Sequence, residues 1–205
     1  MTNARRLSDL GTATIYEAAS ASRLIDAPLR PLCKTMRLAG PARTLRCQPG
    51  DNLALHRVIA AATKGDVIIV DYSESTDSGP FGEIMAFACL QRGIAGLVTD
   101  GAVRDSEAIV DLGFPVFARG INICGTTKDD AGQIDVPVRL GGAQINPADY
   151  IVADADAVII VPAHEVEATL HAAETRAAAE AGMMRKLRAG ETTMTILGLE
   201  KETTP

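Results

Sequence analysis

Gly82–Asp105, GEIMAFACLQRGIAGLVTDGAVRD, has an acid at its second position and an Arg-Asp pair at its end. Between Glu83 and Arg104 the pattern gives one helix (Glu83–Arg92) and then one short apolar strand (Gly96–Thr99). The chain leaves a sheet rim, crosses over once as a helix, and returns both ends of the unit to the same rim. The segment therefore predicts an α/β fold in which Glu83, Arg104 and Asp105 converge. Two carboxylates and a guanidinium on one rim can hold a divalent cation and an anionic substrate.

Working outward, Gly65-Asp66 opens Val67-Ile68-Ile69-Val70, a continuous apolar run of the kind found in a strand buried on both faces. Asn52–Ala62 reads as a helix, with Asp51 or Asn52 available as its N-cap. The loop 71–81, DYSESTDSGPF, is long, polar and punctuated by Gly and Pro, which suits a functional loop. After Asp105, Ser106–Leu112 is a short helix closed by Gly113, and Pro115–Ala118 a strand. Toward the N-terminus, Leu7–Ser20 is expected as one helix, and Thr35–Leu38 and Ala42–Cys47 as two strands about a Gly40-Pro41 turn. Residues 122–133 are irregular, and Ile134–Arg139 and Ala143–Ile145 are strands about Gly141-Gly142. Tyr150–Ala153 and Ala157–Val161 form a hairpin across Asp154–Asp156. Ala163–Leu187 is one long Ala-rich helix with a thin apolar stripe (Val166, Leu170, Ala173, Ala177, Met184, Leu187), which points to packing on a neighbouring subunit or on its own domain.

The 205 residues, 47% hydrophobic, suffice for one domain spanning 1–205. With four Phe, three Tyr and no Trp, the core is built from Ala, Val, Ile and Leu. A net charge of −6 excludes a nucleic-acid partner, which needs a basic footprint. No stretch reaches the roughly 18 apolar residues of a membrane span, and the N-terminus has no apolar signal segment. The four cysteines (Cys33, Cys47, Cys89, Cys124) have no zinc or CxxC spacing and read as reduced and structural, in keeping with a cytoplasmic protein.

Taken singly, each site residue has a plainer use. Asp105 can be the N-cap of the short helix after it, and Glu83 can simply favour a helix dipole. The combination asks for more. Gly79, Pro80 and Gly82 stand just before Glu83, where they let a ligand approach the free amides of a helix N-terminus. Asn52 and His56, one turn apart, can face the same cleft or serve as cap and packing group. Lys128 and Arg119 lie where either can contact an anion. His164 and His171 lack the spacing of a helical metal pair. No P-loop, GxGxxG or GxSxG is present.

On these residues the chain resembles the family of 4-hydroxy-4-methyl-2-oxoglutarate / 4-carboxy-4-hydroxy-2-oxoadipate aldolases and the regulator of ribonuclease activity A, the RraA-like family. The resemblance runs through GPART (40–44), DNLALH (51–56), KGDVIIVD (64–71), GFPVFARG (113–120) and VADADAVIIVP (152–162), with the acid twenty residues before Arg104-Asp105 as its specific part. It implies an α-β-β-α sandwich assembled as a homotrimer or hexamer, with sites at subunit interfaces. It implies Asp105 as a ligand of Mg²⁺ or Mn²⁺, with Glu180 from a neighbouring subunit's C-terminal helix completing the metal surroundings. It assigns pyruvate or its enolate to Arg104, and the pyruvate carboxylate to backbone amides around Gly82, Ile84 and Met85. Glu83 stands where the aldolases carry aspartate and would tune a base for the substrate hydroxyl; Glu17 likewise replaces a common aspartate.

The activity so implied is a metal-dependent pyruvate aldolase acting on a small 2-oxo acid, with oxaloacetate decarboxylase activity. The alternative is a non-catalytic trimer that regulates a protein partner. Retention of the long C-terminal helix and the form TDGAVRD favour the enzyme.

Overall fold

The computed structural model describes residues 1–199; residues 200–205 of the expected 1–205 domain lie outside the described residues. The helices are α1 (Asn3–Leu10), α2 (Thr12–Ala18), α3 (Leu53–Ala61), α4 (Glu83–Gln91), α5 (Ser106–Leu112), α6 (Val166–Arg188) and α7 (Thr193–Leu197). The strands are β1 (Arg23–Leu24), β2 (Arg30–Pro31), β3 (Leu38–Arg46), β4 (Val67–Asp71), β5 (Gly96–Thr99), β6 (Ala102–Val103), β7 (Val116–Ala118), β8 (Gly120–Ile121), β9 (Gln133–Ile134), β10 (Val138–Leu140), β11 (Ala143–Ile145), β12 (Tyr150–Ala153) and β13 (Val158–Val161).

β3, β4, β5 and β7 are parallel neighbours in chain order, joined by α3, α4 and α5 as crossovers. The expected helix–strand alternation from Asn52 to Ala118 is present throughout. β4 shows how its sequence sets the layers. Ile68 and Val70 join Leu55, Val58, Ala86 and Cys89 beneath the helices, whereas Val67 and Ile69 face Leu140, Ile145, Ile151 and Ile160 on the other side. Side chains alternate across a strand, so one apolar run feeds two cores.

The second half of the sheet is antiparallel, in the order β1-β13-β12-β3, and the β10–β11 hairpin covers the same inner core. Its outer face carries Val152, Ile159 and Val161 against Leu7, Ile15, Val166, Leu170 and Ala173 of α1, α2 and α6. The layers therefore run helix, sheet, sheet, helix, as expected.

β3 joins the halves. Leu38–Pro41 pair with β12, and Ala42–Arg46 pair with β4. Gly40-Pro41 is consequently no turn but the point where one continuous strand changes partner, which corrects the two-strand expectation. A Cβ on Gly40 would sit 2.2 Å from the Gly65 carbonyl oxygen, so the glycine is needed for close backbone approach. The expected single helix over Leu7–Ser20 is also two helices. Gly11 takes φ 79°, and Asp154 of the β12–β13 turn accepts hydrogen bonds from the amide (2.8 Å) and hydroxyl (2.7 Å) of Thr12, restarting the helix as α2. The expected strand Ile134–Arg139 is divided, its start pairing with β3 as β9 and its end with β11 as β10.

α6 follows a short 3-10 turn, Ala163–Glu165, and buries only Val166, Thr169, Leu170 and Ala173. Ion pairs tie it to the N-terminal helices: Arg6 binds Glu174 through two bonds (2.8 and 3.0 Å), and Arg176 binds Glu17. Among the described residues no helix is long and apolar enough to cross a membrane. All four cysteines are free, and burial pushes the Cys47 and Cys89 thiols up to about 12, so both stay protonated.

Candidate active site

The site forms at the carboxyl ends of β4 and β5, the usual ligand edge of a parallel sheet. Asp100, buried at the end of β5, accepts the amides of Tyr72 (2.6 Å) and Glu74 (3.0 Å), fastening the loop after β4. Burial raises the Asp100 carboxyl, and these two hydrogen bonds partly offset the rise. The Tyr72 hydroxyl accepts from the Gly50 amide (2.7 Å) and lies 3.1 Å from Ser78 Oγ, so the loop is also clamped to the entrance of α3. Gly101 permits this: a Cβ there would stand 2.8 Å from the Tyr72 ring. Sequence reasoning missed Asp100 and Tyr72 as supports, although both lie within the quoted stretches, Asp100 in 82–105 and Tyr72 in the loop 71–81.

The polar constellation hangs on that frame. The Arg104 amide donates to the Phe81 carbonyl (2.9 Å), bringing Arg104-Asp105 against the start of α4. Asp105 precedes α5 but does not cap it. It adopts left-handed φ 56°, ψ 39°, and its Oδ2 accepts the Glu83 amide at 3.1 Å. Helix capping is thus not what Asp105 does for α5. Arg104 Nε lies 3.8 Å from the same oxygen. A Cβ on Gly82 would fall 2.4 Å from Asp105 Oδ2 and 3.2 Å from Arg104 Nε, so only glycine lets both groups close over the α4 N-terminus. The next amides, those of Ile84 and Met85, donate to no described residue. Such amides, reinforced by the helix dipole, attract a carboxylate.

Gly82, Ile84, Met85, Arg104 and Asp105 line one cleft of about 220 Å³, with Asn52, Pro80, His56 and Lys128 opposite. Asn52 Nδ2 donates to the Pro80 carbonyl (2.9 Å), which fixes the amide's orientation; its Oδ1, also buried, has no partner. Burial, and then the nearby Lys128 charge, lower the His56 imidazole below its ordinary value, leaving it neutral at pH 7. Lys128 forms no ion pair with a described residue and so keeps its charge for a ligand. Asp51 anchors this wall. Burial alone would raise its carboxyl, but hydrogen bonds from the Asp129, Leu53 and Asp130 amides and the Thr127 hydroxyl bring it down to about 2.

The cleft does not gather every expected residue. Glu83 contributes its amide, while its exposed side chain is not among the lining groups. Glu180 lies on the second half of α6, 2.8 Å from Arg176 Nε, and does not line the cleft of its own chain. Arg119 pairs with Glu74 (2.9 Å) away from it. Among the described residues no three His, Cys, Asp or Glu side chains converge to hold a metal, His164 and His171 included. The oxygen donors the cleft offers are Asp105 and the unpartnered Asn52 Oδ1, with the His56 imidazole as its one nitrogen donor. This set fits a hard divalent cation, which keeps several waters and takes few protein ligands.

The chain matches the family model described as RraA-like: Aldolase/RraA, over residues 12–160. It is 36% identical over 167 residues to a Halalkalibacterium halodurans protein named "Putative 4-hydroxy-4-methyl-2-oxoglutarate aldolase", covering 82% of this chain and 80% of that one. Among solved structures it is similar to Streptomyces coelicolor RraAS2, described as an unusual member of the RNase ES inhibitor RraA family. The TM-score is 0.79 at 27% identity, covering 89% of this chain and 95% of that one. RraA from Thermus thermophilis, an RNA-processing inhibitor, gives 0.69 at 26%, covering 74% and 92%.

Proposed function

Because this chain belongs to the RraA-like Aldolase/RraA family, we propose that its cleft cleaves a 4-hydroxy-2-oxo acid, such as 4-hydroxy-4-methyl-2-oxoglutarate, to pyruvate. One observation carries the proposal: Arg104, Asp105 and the unengaged Ile84 and Met85 amides converge on a single cleft. The amides receive the C1 carboxylate, and Arg104 faces the 2-oxo oxygen. A Mg²⁺ or Mn²⁺ held by Asp105, with Glu180 of a neighbouring subunit completing its surroundings, would polarise the 2-oxo group as a Lewis acid.

As the C3–C4 bond breaks, its electron pair passes into the C2–C3 bond and charge gathers on the C2 oxygen. Arg104 stabilises that oxyanion in a site already organised to receive it. The C4 hydroxyl surrenders its proton as C4 becomes a carbonyl, and C3 regains one to give pyruvate. A water tuned by Glu83, whose side chain stands outside the lining, takes the hydroxyl proton; neutral His56 is the base that does line the cleft. Oxaloacetate yields the same enolate by loss of CO₂, so its decarboxylation belongs to the same site.

The test is pyruvate release from oxaloacetate with Mg²⁺ or Mn²⁺, repeated with EDTA. Metal-dependent turnover abolished by Asp105→Ala is the expected result. A folded protein that turns over neither oxaloacetate nor 4-hydroxy-4-methyl-2-oxoglutarate overturns the proposal. That result favours the second reading, a non-catalytic regulator, which the similarity to RraAS2 supports.

A further inference from the structure

The cleft does not end at Met85. A second hollow of about 280 Å³ runs on from it between α3 and α4, sharing His56, Ile84 and Met85 and continuing over Ile59, Ala60 and Ala88. Its far end is closed by Arg92, whose guanidinium is committed to the Ala60 and Ala62 carbonyls at 2.7 and 3.1 Å. The two hollows therefore divide the chemistry. Arg104, Lys128 and the α4 amides, the groups that bind anions, stand in the first. The continuation offers aliphatic walls and no uncommitted cation. Its size also exceeds what a methyl group fills, since a water-sized group takes only about 30 Å³.

We infer that this groove receives an extended apolar substituent on C4, so that the chain acts on 4-hydroxy-2-oxo acids bearing an alkyl or aryl group there. The inference rests on the proposed pyruvate-releasing function and names its substrate class. Cleavage releases pyruvate from the cleft and leaves the substituent, now on an aldehyde or ketone, in the groove. The C1 carboxylate and 2-oxo group stay fixed at Arg104 and the α4 amides whatever the substituent is. Binding then improves by roughly fourfold for each methylene the groove buries.

The experiment compares kcat/KM for 4-hydroxy-2-oxo acids carrying methyl or n-butyl at C4, with oxaloacetate in the same preparation. The n-butyl compound is expected to be at least tenfold better than the methyl one. Ala60→Leu, at an exposed position on the groove wall, should lower that ratio at least fivefold; Ala88→Leu does the same from the opposite wall should the first variant fold poorly. A ratio at or below one in an enzyme that still decarboxylates oxaloacetate overturns the groove assignment and leaves the aldolase reading standing. A folded protein that turns over neither oxaloacetate nor any of the 4-hydroxy-2-oxo acids overturns the aldolase reading itself. In that case calorimetric titration with pyruvate and 2-oxooctanoate still decides about the groove, because tighter binding of the longer acid supports it and equal or weaker binding overturns it.

Discussion

Asp105 holds a left-handed backbone conformation, which costs a non-glycine residue about 1–2 kcal/mol, and gives its carboxylate to a different helix from the one it precedes. Local strain of this kind persists when the surroundings impose it, and here Gly82, Arg104 and the Glu83 amide do so. Arg104→Ala should lower kcat/KM for aldol cleavage and oxaloacetate decarboxylation alike, on the order of 10²-fold or more. Unequal losses would show that the two reactions do not share an oxyanion contact. Gly82→Ala should be as damaging to activity, because its methyl group displaces Asp105; overpacking of this kind also costs about 1–3 kcal/mol, measurable by denaturant unfolding. Asp51 gives a pH signature. Its folded value near 2 lies below the ordinary ~3.9, so its contribution to stability is complete above about pH 4 and is lost as pH falls through 2. The melting temperatures of wild type and Asp51→Asn should therefore converge on acidification; a gap that stays constant down to pH 2 would contradict this.

At the scale of elements, what could be read from the chain followed the range of the forces involved. The units from Asn52 to Ala118 were legible because each helix and strand is set by its own periodicity and its own glycine stops, such as Gly113. The same was true of Glu83, Arg104 and Asp105 as one neighbourhood, since a single crossover joins them. The break at Gly11 and the unbroken strand through Gly40-Pro41 were not legible. Their causes, the Asp154 carboxylate and the Gly65 carbonyl, lie far along the chain. Asp100 and Tyr72 escaped for a similar reason: a carboxylate that holds two backbone amides leaves no pattern in sequence. Asp154→Ala should release α2 from the β12–β13 turn at a cost of about 1–2 kcal/mol. Hydrogen exchange should localise the loss to residues 12–18. By contrast, Arg6→Ala removes ion pairs of exposed carboxylates, which water and salt screen, and should leave the melting temperature almost unchanged.

At the scale of the molecule, the cleft and its proposed trans-acting acid sit on different layers. The lining residues fall between Asn52 and Lys128, while Glu180 belongs to the far half of α6, where Met183, Met184 and Leu187 are exposed. A neighbouring subunit that covers those apolar side chains would explain both facts, and we propose a homotrimer or a pair of trimers. Light scattering after size exclusion should give that mass. Met184→Glu with Leu187→Glu should reduce it and abolish activity together, whereas Glu180→Ala should abolish metal-dependent activity in an assembly of unchanged mass. Full activity from a monomer would rule out a site shared between subunits.

A strand that serves two sheets is also a rivet. β3 gives its first half to β12 and its second half to β4, so the two halves of the sandwich cannot swing apart without tearing its ladder. Substrate therefore cannot be engulfed by the closing of two bodies, as in hinged enzymes. The coil after β4, held by Asp100 and Tyr72, and the wall around Lys128, held by Asp51, are fastened to that same frame, so the cleft meets its substrate already formed.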